Sequence, residues 1–193
     1  MSPGPLTQGF TFNRFVHRKG PGVDSFAMTT FYAVSHLAEM SPLEVHRLYK
    51  LRVDVFVNEQ QTPYVEIDDV DALDSTFHML AWSNDSGNRE LVGTARLFPA
   101  EWEGTPVMQL GRVCVVPSRR NTGLAPELIR QTLRLSFEQE PGRDVVLTAQ
   151  EPLIGYYREF GFEPTGELVD DEGIPHQPMR LAAAKLAELI TRK

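Results

Sequence analysis

A short polar loop between a predicted strand and a predicted helix carries the residues best suited to bind an anion. The β-branched run at residues 113–116 ends at a proline, which is typical of the end of a strand. A turn at residues 121–123 follows, and Pro126 suits the first turn of a helix because proline lacks the N–H that remains unpaired there. Loop N–H groups and the positive end of a helix dipole favour an anion, and Arg119 and Arg120 add two charges. The loop lacks the Gly-Lys-Ser/Thr and the three glycines of the common nucleotide-binding loops.

This loop resembles motif A of the GNAT acyltransferases, which holds the pyrophosphate of acetyl-CoA. The family pattern Gln/Arg-x-x-Gly-x-Gly/Ala falls on Arg120, Gly123 and Ala125, and Val-x-Pro precedes it at Val115 and Pro117. The resemblance implies that main-chain groups of the strand pair with pantetheine as an added strand would. The residues assigned to the cofactor are Val113, Cys114, Val115, Arg119, Arg120, Asn121, Thr122, Gly123, Leu124 and Ala125. On the loop alone, a solvated turn ahead of an ordinary helix is an equal alternative.

An acidic segment upstream forms a second motif. Arg52-x-x-Val55-Phe56-Val57-x-Glu59-Gln60, Pro63, Glu66-x-Asp68 and His78 resemble the amino-terminal signature of ElaA-type GNAT proteins, and Gly173-Ile174-Pro175-His176 is similar to these proteins as well. In them this loop borders the acceptor end of the cleft, so the resemblance assigns Glu66, Asp68, His78 and Arg112 to acceptor binding. A solvated acidic loop, with His78 fixing it through a hydrogen bond to a carboxylate, is the structural alternative.

The acidic run does not predict a metal site. It lacks the glycine at position six and the glutamate at position twelve of a calcium loop. A single histidine with no partner at ligand spacing is a weak metal signal. We therefore expect no metal.

Tyr157 supplies the third motif. The sequence from Tyr157 to Phe162 resembles the GNAT pattern Tyr-x-x-x-Gly-Phe, whose tyrosine protonates the departing thiolate. A packing role is the alternative, and the adjacent Tyr156 leaves an error of register open. In the implied mechanism the amine attacks the thioester directly. Cys114 is a poor nucleophile, since it lies in an apolar strand with no histidine nearby in sequence.

The general base has no clear candidate on the central strands. Many GNAT enzymes place a glutamate there, whereas this sequence has Gln109, Leu110 and Thr148. Glu59 is our choice of base. Glu66 and Asp68, acting directly or through water, are the other candidates, and any of the three could simply hold the loop.

Composition limits the class of protein. The 193 residues can bury one good core, and 41% hydrophobic and 23% charged residues are typical of a soluble globular protein. The net charge of −7 argues against general affinity for nucleic acid or anionic membrane. The single cysteine excludes an internal disulfide and fits a reducing compartment. No apolar run has the length of a membrane span or forms a signal core. We expect a cytoplasmic protein.

The order of predicted elements gives the fold class. It begins with a strand at 30–34, a helix that opens with a capping box of Ser41 and Glu44, and strands at 78–82 and 91–97 joined by a turn at 84–88. A long central strand at 107–116, the anion loop, a helix at 125–138, a strand at 145–149, a helix at 152–160 and a hairpin with its turn at 170–173 and return strand at 175–181 follow. This order predicts an α/β fold with a GNAT-like mixed, mostly antiparallel sheet of six to seven strands flanked by helices. Residues 1–28 are turn-rich and predict a poorly ordered extension, although three phenylalanines leave a docked strand open. Residues 29–181 form the GNAT domain, and 182–193 a C-terminal helix.

The resemblance implies an N-acetyltransferase that moves an acetyl group from acetyl-CoA, as cosubstrate, to a primary amine. The partner is a small-molecule or peptide amine, and a homodimer is left open. Acyl-homoserine-lactone synthases share the fold and a similar start, and are one alternative. A non-catalytic CoA-binding regulatory module is another, although it would not need a phenol at the sulfur.

Overall fold

In the part of the chain that the structure describes, one mixed sheet is flanked by four α-helices. The computed structural model describes residues 30–61, 65–84, 88–171 and 173–192, apart from the side chain of residue 171. The strands are β1 (Thr30–Ser35), β2 (Phe77–Ser83), β3 (Glu90–Trp102), β4 (Thr105–Val115), β5 (Val145–Gln150), β6 (Glu163–Pro164), β7 (Val169–Asp171) and β8 (Ile174–Leu181). The helices are α1 (Pro42–Arg52), α2 (Leu124–Gln139), α3 (Ile154–Arg158) and α4 (Ala183–Thr191). The predicted N-terminal extension and part of both predicted turns, 84–88 and 170–173, lie outside the described residues.

The sheet confirms the predicted class. Its strand order is β1-β2-β3-β4-β5-β8-β6, with β7 also paired to β8. Only β4 and β5 run parallel, and all other neighbours are antiparallel. The described residues contain eight strands rather than six or seven. The predicted final hairpin is present, but its first arm is divided into the two-residue β6 and the three-residue β7, which both pair with β8 and are too short to show a period of two in the sequence.

Two apolar cores lie on opposite faces of the sheet. The larger core is covered by α2, α3 and α4 and contains Leu97, Met108, Leu110, Leu128, Leu147, Met179 and Leu186. The smaller core is covered by α1 and contains Leu48, Leu51, Val55, Phe56, Leu80, Trp82 and Cys114. On this second face, α1 packs on β3 and β4. The same face of β5 and β8 is less covered, and Thr148 and Arg180 are exposed there.

The first helix begins as predicted and then changes form. Ser41 and Glu44 form the predicted capping box, with Pro42 in the first turn. Leu48 is fully buried, which contributes about 1.5–3 kcal/mol to stability. From Val53 to Glu59 the chain continues as a π-helix, a rare form that is frequent at functional sites. The sequence does not reveal this change of helix type, because the spacing of its apolar residues fits either helix.

A bulge interrupts the strand that was predicted to be continuous. Thr94 pairs with Cys114, but Arg96 pairs with Gly111, so β4 holds one residue more than β3 over this stretch. Arg112 occupies the bulge with a φ of 51°, a left-handed conformation that is uncommon for residues other than glycine. The bulge turns the Arg112 side chain toward the segment that follows the π-helix.

Two predicted helices have different bounds. Residues 152–160 were predicted as one helix, but a 3-10 turn at Glu151–Leu153 leads into the five-residue α3. The helix predicted at 125–138 runs from Leu124 to Gln139, and Pro126 lies at the third helical position, within the first turn as predicted.

Candidate active site

A gap opens between the two parallel strands at the middle of the sheet. Met108 pairs with Val145 and Gln109 with Val146, and the pairing ends there, although β4 continues to Val115. The N–H of Val116 bonds to β3, so by strand alternation the backbone groups of Val113 and Val115 face the gap. These groups can pair with an extended amide-bearing chain inserted between the strands.

The anion loop lies at the end of β4. Asn121 has a φ of 60° and Gly123, the N-cap of α2, a φ of 85°. No residue in the described ranges accepts a hydrogen bond from the N–H of Thr122, Gly123, Leu124 or Ala125. These donors, at the positive end of a 16-residue helix, suit a phosphate. Leu124 is 7% exposed and anchors the loop in the larger core.

The two loop arginines are held by protein partners. Arg119 donates to Ser83 Oγ at 2.9 Å, across the ends of the strands. Arg120 donates a hydrogen bond from Nη1 to Glu59 Oε1 at 2.6 Å and another from Nη2 to Oε2 at 2.7 Å. A cavity of about 200 Å³ adjoins the loop and is lined by Thr30, Tyr32, Arg119, Thr122, Gly123 and Leu124. In this state the main-chain N–H groups, and not the guanidinium groups, are the unengaged donors of the loop.

Tyr157 lies on α3, which follows β5 after the 3-10 turn at Glu151–Leu153. It is 9% exposed and packs edge-on against Phe162 at a centroid distance of 6.0 Å. Burial raises the pKa of the Tyr157 phenol far above its ordinary value, so the phenol stays protonated at neutral pH. The hydroxyl of the neighbouring Tyr156, in contrast, is enclosed without a hydrogen-bond partner among the described residues.

The predicted acceptor residues lie in a buried cluster of charges. Arg52, which is fully buried at the end of α1, donates from Nε to Glu66 Oε1 at 2.5 Å and from Nη1 to Asp71 Oδ1 at 2.7 Å. Burial opposes ionisation of Asp71, but the hydrogen bonds from Arg52 and Arg96 outweigh it and lower the pKa of this carboxyl. Burial raises the pKa of Glu66, against the charges of its arginine neighbours.

Two further arginines complete this cluster. Arg96 on β3 donates to both oxygens of Asp68 at 2.6 and 3.0 Å, and also to Asp71. Arg112 reaches from the bulge to Glu66 Oε2 at 3.1 Å and to Asp68 Oδ2 at 3.4 Å. Three positive and three negative side chains therefore balance, and only Asp68 among the carboxylates has a side chain as much as 30% exposed.

His78 lies beneath the same loop and is fully buried. Its Nε2 lies 3.0 Å from the Asp71 carbonyl oxygen, so it holds the loop through the backbone and not through a carboxylate as expected. Burial lowers the pKa of His78, which favours the neutral imidazole. This position fits the structural alternative, because the ring has no exposed edge for an acceptor.

The remaining chemical candidates differ in accessibility. Glu59 is exposed, but the hydrogen bonds from Arg120 lower its pKa, which makes it a weaker base while the pair is closed. Burial raises the pKa of Cys114 to about 12, which disfavours a thiolate nucleophile. Sequence reasoning missed Arg96 as a member of the charge cluster. The available signal was an arginine at an inward position of an otherwise apolar strand.

The described ranges contain neither a cluster of metal ligands nor a helix suited to span a membrane. No three His, Cys, Asp or Glu side chains there converge as metal ligands. None of the described helices combines the length and apolar character needed to span a membrane.

Comparisons with known proteins agree with this architecture. A family model for the GNAT acetyltransferase domain matches residues 44–183. Protein ElaA of Escherichia coli K12 is 37% identical over 141 residues, which cover 73% of this chain and 89% of ElaA. The crystal structure of Escherichia coli ElaA matches with a TM-score of 0.70 at 32% identity, over 79% of this chain and 99% of that one.

Two other solved structures extend the comparison. An acyl-CoA N-acyltransferase from Pseudomonas aeruginosa has a TM-score of 0.70 at 32% identity, over 80% of this chain and 100% of that one. BjaI, a CoA-dependent acyl-homoserine lactone synthase, has a TM-score of 0.59 at 21% identity, over 77% of this chain and 81% of that one, and shares the fold alone. The family model covers well over half of the sequence, and the chain therefore belongs to the GNAT acetyltransferase family and is an acyltransferase.

Proposed function

We propose that this acyltransferase uses acetyl-CoA as cosubstrate and transfers the acetyl group directly to a primary amine of a small molecule or peptide. The observation that carries the proposal is the gap between β4 and β5, with unengaged N–H donors of the anion loop at one end and the phenol-bearing α3 beside β5. A pantetheine chain in this gap would pair with Val113 and Val115, and its pyrophosphate would meet the loop at residues 119–125.

The chemistry requires two proton transfers. The acceptor ammonium loses a proton, and its nitrogen then attacks the thioester carbonyl carbon to give a tetrahedral intermediate. The intermediate expels the CoA thiolate as the C–S bond breaks, and Tyr157 donates its proton to sulfur and regains one from solvent. The phenol is protonated at neutral pH, and burial, which raises the pKa of Tyr157, makes it a weaker acid, so its proton is transferred only as negative charge develops on sulfur. Main-chain pairing and the loop supply orientation.

The acceptor end of the proposed cleft lies near the charge cluster. Asp68 is the member with an exposed edge, so it is the carboxylate placed to attract a cationic amine. Glu66, Arg112 and the buried His78 would support it by holding the loop. Glu59, the base expected from the sequence, must leave Arg120 before it can accept a proton efficiently.

Substitution of Tyr157 tests this proposal. Tyr157→Phe keeps the ring and removes the donor, so kcat for acetyl transfer should fall by about 10²–10⁴, with CoA affinity in calorimetry nearly unchanged. Tyr156→Phe is the matched control on the same helix and should stay near wild type. Full turnover by Tyr157→Phe, or a larger loss at Tyr156, would refute the assignment.

A panel of amines and a panel of acyl donors identify the acceptor and the donor that the protein uses. Spermidine, kanamycin, free amino acids and a lysine-containing peptide are offered with acetyl-CoA, and release of CoA is followed. Longer acyl-CoA thioesters, and acyl-carrier-protein thioesters offered with S-adenosylmethionine, are tested beside acetyl-CoA. Preference for a carrier-protein thioester would favour the acyl-homoserine-lactone-synthase alternative. CoA binding without turnover of any amine would favour a regulatory module.

A further inference from the structure

A histidine that the proposed chemistry does not yet use lies on the open face of the sheet. His176 on β8 pairs directly with Gln150, the last residue of β5, and Thr148 pairs with Pro178. Directly paired residues share a face, and the neighbouring pair Leu147–Met179 points into the larger core. His176 therefore lies with Thr148 and Gln150 on the opposite face, one strand spacing of about 4.8 Å from the strand that borders the cofactor gap.

The hydrogen bonding of His176 determines which of its nitrogens can accept a proton. Nδ1 lies 2.8 Å from the Ile174 carbonyl oxygen, and a carbonyl can only accept, so Nδ1 carries the hydrogen in the neutral ring. Nε2 then holds the lone pair. Nε2 makes no hydrogen bond within the described residues. Unlike Nδ1 of His78, it is not completely enclosed by protein. The residue is 7% exposed, so packing holds the ring, and Nε2 is its nitrogen without a hydrogen-bond partner among the described residues.

The other groups considered as bases are engaged by arginines. Glu59 is held by Arg120, Glu66 by Arg52 and Arg112, and Asp68 by Arg96 and Arg112. Each must break an ion pair to take a proton. His78 has an unpartnered Nδ1, but this atom is enclosed by protein. Among the described side chains near the proposed cleft, His176 combines an available lone pair with a fixed ring.

We propose that His176 is the general base that accepts the proton lost by the acceptor amine. This inference rests on the proposed function and names the residue that completes its chemistry. The N–H bond of the ammonium breaks, the proton moves to Nε2, and the freed nitrogen lone pair forms the new C–N bond. The resulting imidazolium is stabilised by its Nδ1–H bond to Ile174 and later releases the proton to solvent.

Two amide substitutions remove the basic nitrogen, and each places its amide near a different nitrogen of the ring. His176→Asn places its amide near Nδ1 and can keep the bond to Ile174, but it removes the basic nitrogen. His176→Gln places an amide near Nε2 and also removes the base. With acetyl-CoA and the most active amine of the panel, both should lower kcat by about 10²–10⁴. The KM for acetyl-CoA, the Kd for CoA and the unfolding midpoint of His176→Asn should stay near wild type.

Chemical rescue distinguishes a base from a structural ring. Imidazole added to His176→Ala should restore part of the lost turnover, whereas it should not restore turnover in Tyr157→Phe. Wild-type kcat in a folded His176→Asn protein would overturn the proposal, and so would an unrescued His176→Ala protein that binds CoA normally. If instead the wild-type protein acetylates no amine, or Tyr157→Phe keeps full turnover, the proposed function fails and the failure does not originate at His176.

Discussion

Two arginine–carboxylate sites lie at the two ends of the π-helical segment, and they differ in burial. At its start, Arg52 is fully buried between Glu66 and Asp71. At its end, Glu59 holds Arg120 in the open, with side chains 41% and 38% exposed. The two sites use the same functional groups at similar distances. Burial therefore separates their roles, one holding the fold and the other able to exchange partners.

The physical reason is the cost of an unpaired charge. In the interior a guanidinium that loses its carboxylate cannot recover its hydration, so the remaining charge strongly destabilises the fold. At the surface water and salt replace the lost partner at little cost. A cofactor phosphate could therefore displace Glu59 from Arg120, whereas no ligand could displace Asp71 from Arg52 without opening the loop.

Asp71→Asn should have the largest effect on stability. It leaves Arg52 and Arg96 without their shared carboxylate, and the expected loss is about 3–5 kcal/mol in the free energy of unfolding, measured by urea denaturation. The matched control is Asp54→Asn, which breaks the exposed pair with Lys50 and should cost no more than about 0.5 kcal/mol. Equal losses in the two variants would mean that burial does not separate these sites.

The same carboxylate predicts a dependence on pH. The pKa of Asp71 is lower in the folded protein than its ordinary value of 3.8, so its contribution is complete above that value and is lost as the pH falls below it. The difference in unfolding free energy between wild type and Asp71→Asn should therefore be largest at neutral pH and shrink toward pH 3. Urea denaturation at several pH values measures this difference. A difference in unfolding free energy that stays constant with pH would contradict the prediction.

Gly123→Asp tests the exposed region through its anion loop. A carboxylate beside the unengaged N–H groups should weaken CoA binding by about 1.5–3 kcal/mol, measured by calorimetry. Gly123→Asn is the matched control, because both residues must adopt the φ of 85° and only one adds charge. The site for an added Cβ has no described neighbour within 4 Å, and the strain of the left-handed backbone is shared by both variants, so comparing them isolates the effect of the charge. Unchanged CoA affinity in Gly123→Asp would remove the loop from the cofactor site.

Glu59→Gln should have the smallest effect. It removes the charge that competes for Arg120, so CoA affinity should rise by about two- to fivefold while the unfolding midpoint stays unchanged. Glu138→Gln makes the same charge change at an exposed position toward the far end of α2 and should alter neither quantity. A marked loss of stability in Glu59→Gln would show that the exposed pair holds the fold as the buried cluster does.

Local patterns determined most of the elements and their order. Each of these patterns lies within a few consecutive residues and specifies the structure of that stretch. Examples are the capping box at Ser41, the apolar run of β5 and the glycine before α2. They were therefore visible in the sequence. The sequence showed neither the division of the hairpin's first arm into β6 and β7 nor the π-helix. The two strands are too short, and the π-helix is too similar in apolar spacing to an α-helix, to leave a separate pattern.

The sequence by itself also determined that an anion loop, a tyrosine helix and an acidic segment occur in one order along the chain. Only the tertiary structure decided which charges meet. Arg52 and Asp71 are 19 residues apart, and Arg120 and Glu59 are 61 apart, yet each pair bonds directly. Side-chain partners depend on distances between elements, on the bulge at Arg112 and on how much water each pair retains. No local pattern encodes these quantities, because they arise only when the sheet and its helices pack together.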